Sequence, residues 1–236
     1  MFSASFLGSL VASATGDHKP NRIFRVMFRP DSDSIFVSVG FKHVKFWSVA
    51  GSELVKKKGV LTENGMSNKN KLKKMPTMLS VAFGQDNVTY TGSMSGDIFV
   101  WKDNVLTRVV SNAHQGPIFT MYTSLFDGCI VTGAKEKRKK DNAPVKVWDK
   151  DMKRAVKSFF IEKDSDVTVI KSVCRTKNKI LVGTKSSSIY EISEKMNDID
   201  SLVLGHGEGD FYGNLFIEWQ NLVNTDVENF INIVYY

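Results

Sequence analysis

A short β-hairpin that ends in tryptophan recurs along this chain, and it constrains the fold more than any other feature. Its clearest copy is Gly92–Trp101, in which two glycines bracket a tight turn and a β-branched, aromatic strand follows. Variants of the same hairpin end at Trp47 and at Trp148. A degenerate fourth copy runs from Val182 to Ile192 and has no tryptophan. The sequence therefore predicts a β-repeat protein.

The intervals between the hairpins indicate which class of repeat this is. The tryptophans are 54 and 47 residues apart, and Ile192 follows Trp148 after another 44 residues. WD40 blades recur about every 40–45 residues, and insertions lengthen that period. We therefore predict an all-β fold, a partial β-propeller of about four WD40-like blades with an irregular C-terminal tail.

The predicted organisation has three parts. Residues 15–209 hold the WD40-like blades, and residues 210–236 form a divergent tail in which the hairpin no longer recurs. Residues 1–14 are expected to be an outer strand or the remnant of a preceding blade. A secretion signal is the alternative for this uncharged start, but no basic residue precedes Lys19. No apolar run approaches the roughly 18 residues that span a bilayer, so we expect no membrane association.

The histidines and tryptophans are expected to hold blades together. A standard WD40 blade joins a histidine, a serine or threonine, the tryptophan and a turn aspartate in one hydrogen-bonded tetrad, and no single blade of this sequence clearly carries all four. His43 replaces the turn aspartate in its blade and is expected to be packed or solvated. Structural roles are favoured over metal binding or catalysis for His18, Trp47, Asp97, Trp101, His114, Trp148 and Asp149.

The sequence offers no catalytic constellation. The stretch Gly92–Gly96 resembles a nucleophile elbow, but Met94 stands where the serine is needed. Cys129 and Cys174 lie in apolar, strand-like contexts without metal-ligand spacing, so two buried free thiols in a reducing compartment are expected. We therefore predict a protein that is not an enzyme and uses no cofactor and no metal.

Positive charge is concentrated in two segments that interrupt the blade period. Residues 56–74 contain seven lysines and one glutamate, and residues 135–141 contain five basic and two acidic residues, whereas the whole chain carries +7. We interpret both segments as long loops on a rigid scaffold, where binding is common, and clustered lysines attract acidic partners. The candidate partner-binding residues are Lys56, Lys57, Lys58, Lys69, Lys71, Lys73, Lys74, Lys135, Lys137, Arg138, Lys139 and Lys140.

Other interpretations of the basic segments stay open. Both also fit solvated linkers without a partner, and residues 135–140 also fit a nuclear localisation patch. Direct binding of nucleic acid is disfavoured, because no aromatic stacking platform lies within the basic runs.

Residues 15–207 resemble the echinoderm microtubule-associated protein-like family. The resemblance rests on the stretches GDHKPNRIFRVMF, SVGFKHVKFW, TMLSVAFG, GDIFVWK, AHQGPIFTMY, VKVWD, IKSVC and ILVGT, in that order. It implies a truncated piece of the family's first propeller that is non-enzymatic, cytoplasmic and cytoskeletal, binds tubulin or microtubules and modifies microtubule assembly dynamics. The alternative is a generic WD-repeat scaffold for other proteins or a regulatory truncated isoform.

Overall fold

The computed structural model describes seven ranges of the chain, namely residues 4–7, 10–13, 22–62, 74–124, 126–137, 144–161 and 167–205. Every regular element in these ranges is a β-strand. A two-stranded N-terminal hairpin consists of β1 (Ala4–Leu7) and β2 (Leu10–Ser13) and contacts the first strand of the sheet that follows. The predicted tail, residues 210–236, lies outside the described residues.

Four antiparallel blades of four strands each follow the hairpin, and the strands of the last two blades belong to one eight-stranded sheet. Blade 1 contains β3 (Ile23–Phe28), β4 (Ile35–Gly40), β5 (His43–Ala50) and β6 (Glu53–Lys58). Blade 2 contains β7 (Met78–Phe83), β8 (Val88–Ser93), β9 (Ile98–Lys102) and β10 (Val105–Val110).

Blade 3 contains β11 (Ile118–Thr123), β12 (Ile130–Lys137), β13 (Val145–Trp148) and β14 (Ala155–Phe159). Blade 4 contains β15 (Val167–Arg175), β16 (Lys179–Thr184), β17 (Ile189–Ser193) and β18 (Asp198–Val203). The predicted all-β array of four blades is therefore confirmed.

Part of each of the two basic segments lies in a β-strand, where a loop was predicted. Lys56, Lys57 and Lys58 lie in β6, which is exposed along its whole length. Lys135 and Lys137 lie in the second half of β12. β6 is exposed at every residue and β12 is buried at nearly every described residue, so neither strand shows the alternation that a sequence pattern would reveal.

The core consists of three apolar layers, one between each pair of neighbouring blades. The second and third strands of a blade contribute alternate residues to its two faces. One face carries the tryptophan or its equivalent, Ile192 in blade 4, and we call it the tryptophan face; the opposite side is the back face. In every layer, the back face of one blade packs against the tryptophan face of the next.

Blades 3 and 4 are also joined through the main chain. The first half of β12 pairs with β11 and β13, while Lys135, Glu136 and Lys137 at its far end pair with β15 of the next blade. This is the one ladder between strands of different blades within the described ranges.

The two cysteines are free thiols. Cys174 is buried, and burial raises its pKa to about 11. Cys129 is only half-buried, so the expectation of two buried thiols is correct for one of them. None of the residues that the structure describes forms a helix of the length and apolar character needed to cross a membrane.

Candidate partner-binding surface

A buried polar network in blade 3 is centred on the hydroxyl of Thr132. The indole Nε1 of Trp148 donates to Thr132 Oγ1 at 2.9 Å, and His114 Nε2 lies 2.7 Å from the same oxygen. His114 Nδ1 lies 3.0 Å from Glu136 Oε1, which also accepts the main-chain N–H of Gln115. Burial lowers the pKa of His114, so the ring is neutral and donates from Nδ1 to the carboxylate.

This network corrects the expectation that no blade carries the full tetrad. Blade 3 has all four members, with Glu136 in place of the turn aspartate. Sequence reasoning missed Glu136 because it stands among the lysines of a segment read as a loop. The Asp97 side chain, by contrast, contacts Ser95 and the N–H of Asn112 instead of a tryptophan, so it stabilises a turn and belongs to no tetrad.

Blade 1 has a reduced version of the same network. Trp47 Nε1 donates to Ser38 Oγ at 2.8 Å, and His43 Nε2 lies 2.8 Å from that oxygen. Burial, with a smaller contribution from Lys45, lowers the pKa of His43 to about 4. His43 is therefore packed and hydrogen-bonded, and the alternative of a solvated side chain is wrong.

The remaining tryptophan-face residues are structural as well. In blade 2, Trp101 Nε1 donates to Thr91, whose hydroxyl donates to the sulfur of Met78. Asp149 accepts the main-chain N–H of Lys153 and closes a turn. His18 lies outside the described residues. The side chains of Trp101 and Thr91 are hydrogen-bonded in the core, which leaves surface side chains to recognise a partner.

Exposed cations lie at both ends of the array, and the two ends differ in their exposed acidic residues. We call one of them the upper end, where the second strand of each blade turns into the third and where the chain crosses to the next blade. Among the described residues of the upper end, no acidic side chain is fully exposed, since Glu136 is buried and Asp97 is partly buried and hydrogen-bonded within its turn. The exposed basic residues of the upper end are Arg22, Lys42, Lys58, Lys74, Lys135 and Lys185.

The opposite, lower end has a different charge pattern. Its turns expose Asp31, Asp86, Asp103 and Asp151 among basic residues such as Lys153. Exposed charges of both signs therefore occur at the lower end, whereas the exposed charged residues that the structure describes at the upper end are all basic. A field of one sign extends further into solution and attracts an oppositely charged macromolecule.

The structure brings together only part of the predicted binding set. Lys58, Lys74 and Lys135 lie at the upper end, while Lys56 and Lys57 lie further along β6. The side chain of Lys137 is not described, and Lys69, Lys71, Lys73, Arg138, Lys139 and Lys140 lie outside the described residues.

Sequence reasoning missed Lys42 and Lys185, which stand in the tight turns between second and third strands. The available signal was the hairpin repeat itself, because the same turn recurs in each blade. Lys42 adopts a positive φ of 51° in its turn, and Gly96 has a φ of 90° in the turn of blade 2.

Comparison with known proteins identifies the family. The sequence profile described as the first β-propeller of echinoderm microtubule-associated protein matches residues 7–192. The chain belongs to this family. It is 29% identical over 184 residues to the 77 kDa echinoderm microtubule-associated protein of Lytechinus variegatus, an alignment that covers 77% of this chain and 25% of the relative.

Other similar proteins agree with that assignment. The chain is 29% identical to human echinoderm microtubule-associated protein-like 1 over 75% of its own length and 21% of the relative. This member of the family thus spans about a quarter of the length of the curated relatives it matches. The crystal structure of the computationally designed Ika8 protein shares the fold, with a TM-score of 0.61, 19% identity, and coverage of 89% of this chain and 63% of that one.

Proposed function

We propose that this chain is a non-enzymatic cytoplasmic protein of the cytoskeleton, which binds tubulin or microtubules through its upper end and modifies microtubule assembly dynamics. Membership of a family named for microtubule association supports the class of partner. The observation that carries the proposal is that the described part of the upper end exposes cations from blades 1, 3 and 4 and from the link to blade 2, and has no fully exposed acidic side chain.

The physical basis is electrostatic docking onto the glutamate-rich surface of tubulin. Lys42, Lys74 and Lys135 are exposed and come from blade 1, the link to blade 2, and blade 3. Lys42 lies in a tight turn between two paired strands and Lys135 lies in a strand, so the fold fixes the spacing between these two. Rigid presentation lowers the entropy lost on binding, and exposed charges make the interaction sensitive to salt.

Charge reversal tests this surface. The triple variant K42E/K74E/K135E changes the upper end, and the matched control K102E/K150E/K153E makes three equal changes at the lower end. We expect the upper-end variant to lose about tenfold or more of its affinity for microtubules in co-sedimentation, because every reversed charge repels the acidic surface. Equal loss in both variants, or no loss in either, would contradict the proposal.

A generic protein-interaction scaffold is the second candidate, and one observation favours it. The outer strands of blades 3 and 4 form a cleft lined by Phe160, Tyr190 and Asn197, among other residues, and Phe160 is 40% exposed. Exposed apolar side chains at a cleft favour a protein or peptide ligand. If partners bind in this cleft, the upper-end variant should keep its affinity for them, and that affinity should not fall as the salt concentration rises.

A further inference from the structure

The three interfaces between blades share one polarity, and two of them share a recurring contact. The back face of blade 2 extends a cation from its outer strand, since Arg108 donates to the main-chain oxygens of Asp151 and Met152 in the next blade. The back face of blade 3 does the same, because Lys157 Nζ donates to the main-chain oxygen of Glu194 in blade 4. A back face that receives a following blade thus combines apolar residues with an outer cation.

The back face of blade 4 departs from this pattern. Cross-strand register places Glu191 where blades 2 and 3 have Val100 and Val147. It also places Asp200 where those blades have the cations Arg108 and Lys157.

An acidic row therefore occupies the outer half of the back face of blade 4. Asp198 and Asp200 are exposed, and within the part of the chain that the structure describes Glu191 forms an ion pair with Lys179 on the same face, at 2.6 Å. An aspartate cannot donate to the turn oxygens of a following blade as Arg108 does. This face is therefore complementary in charge to a partner surface that carries cations.

The tryptophan face of blade 1, at the other end of the array, has the complementary charge. Lys56 lies across from Trp47, and Lys58 lies across from Lys45, so three cations share the outer half of this face. Lys45 Nζ lies 5.6 Å from the Trp47 ring centroid, and Leu54 is 53% exposed beside them. The inner half of this face is not accessible to a partner, because its residues Val26 and Phe28 are buried.

We propose that the back face of blade 4 docks on the tryptophan face of blade 1 of a second copy of this chain. The polarity is the one that all three internal interfaces have, and the outer halves carry opposite charges. Glu191, Asp200 and Val203 then face Lys45, Lys56 and Leu54. The contact is head-to-tail, and two such contacts close a ring of two copies, while an unclosed arrangement gives longer chains.

Sedimentation velocity of the full chain tests the proposal with a charge swap. One variant, E191K/D200K, reverses the blade 4 face, and the other, K45E/K56E, reverses the blade 1 face. We expect the unchanged chain to sediment with at least twice its 26.5 kDa mass at low salt and each variant to sediment as a monomer. An equimolar mixture of the two variants restores opposite charges at both contacts, so it should recover the dimer.

Three results would overturn the proposal: an unchanged chain that is monomeric at tens of micromolar, variants that associate as the unchanged chain does, and a mixture that stays monomeric although far-ultraviolet circular dichroism shows both variants folded. The upper-end variant K42E/K74E/K135E is the matched control. It changes three lysines outside both faces and should keep the oligomeric state of the unchanged chain.

Discussion

At the scale of single residues, one hydroxyl organises the polar core of blade 3. Replacing Thr132 with valine keeps the shape but leaves the Trp148 N–H and His114 Nε2 without a partner in a fully buried site. We expect a loss of about 2–4 kcal/mol in the free energy of unfolding by urea. Thr132→Ser keeps the oxygen and should cost about 1 kcal/mol. Equal losses in the two variants would mean that the hydroxyl contributes little.

A second residue, His43, makes stability depend on pH. Its pKa in the folded chain is about 4, below the ordinary value near 6.5 of an unfolded histidine. Between these values the unfolded state binds the extra proton, so stability is full above pH 6.5 and is lost as the pH falls towards 4. In His43→Gln the amide can still bond Ser38 but does not titrate. Urea unfolding at pH 7 and pH 5 should show that the unchanged chain loses about 1 kcal/mol more than this variant.

The sequence predicted some of these core residues and missed Glu136. The tryptophans and His114 could be assigned to the core because the repeat fixes their positions. Glu136 could not, since its burial depends on β12 continuing past its own blade, and adjacent lysines made it look exposed. A tertiary contact decided the role of that carboxylate.

At the scale of elements, Arg175 at the end of β15 clamps two blades. Its guanidinium bonds Glu194 through Nε and a second nitrogen and bonds Asp127 at 2.7 Å, and both Arg175 and Glu194 are nearly inaccessible to solvent. Arg175→Met removes the positive charge that is paired with the carboxylates of Glu194 and Asp127. We expect a destabilisation of about 3 kcal/mol in thermal or urea unfolding. The exposed pair Lys153–Asp151 is the comparison, because Lys153→Met should cost less than about 1 kcal/mol.

Elements differed in how far the sequence predicted them. The first three strands of each blade were found because they alternate or run apolar between turn residues. The outer strands β6, β14 and β18 were not, since most of their residues are exposed and their apolar residues do not mark a buried face. Their strand conformation comes from main-chain pairing with the third strand, which leaves no hydrophobic period in the sequence.

At the scale of the whole molecule, stability should vary along the array. Blades 2 and 3 are covered on both faces by neighbouring blades, whereas β6 and β18 belong to the terminal sheets and are largely exposed. Native-state hydrogen exchange should therefore find the slowest amides in β8, β9 and β12 and much faster ones in β6 and β18. Uniform protection across all four blades would show that the array unfolds only as one unit.

The strand β12, which passes from one sheet into the next, has a mechanical consequence. Blades 1 and 2 are joined mainly through side chains, with an isolated main-chain bridge between Val60 and Val105, but blades 3 and 4 share a main-chain ladder at Lys135–Lys137 and Val167–Val169. A force applied to the chain ends has to shear those hydrogen bonds before blade 4 can leave blade 3. In an optical trap, the last two blades should yield in a single large extension step and the first two in separate smaller ones.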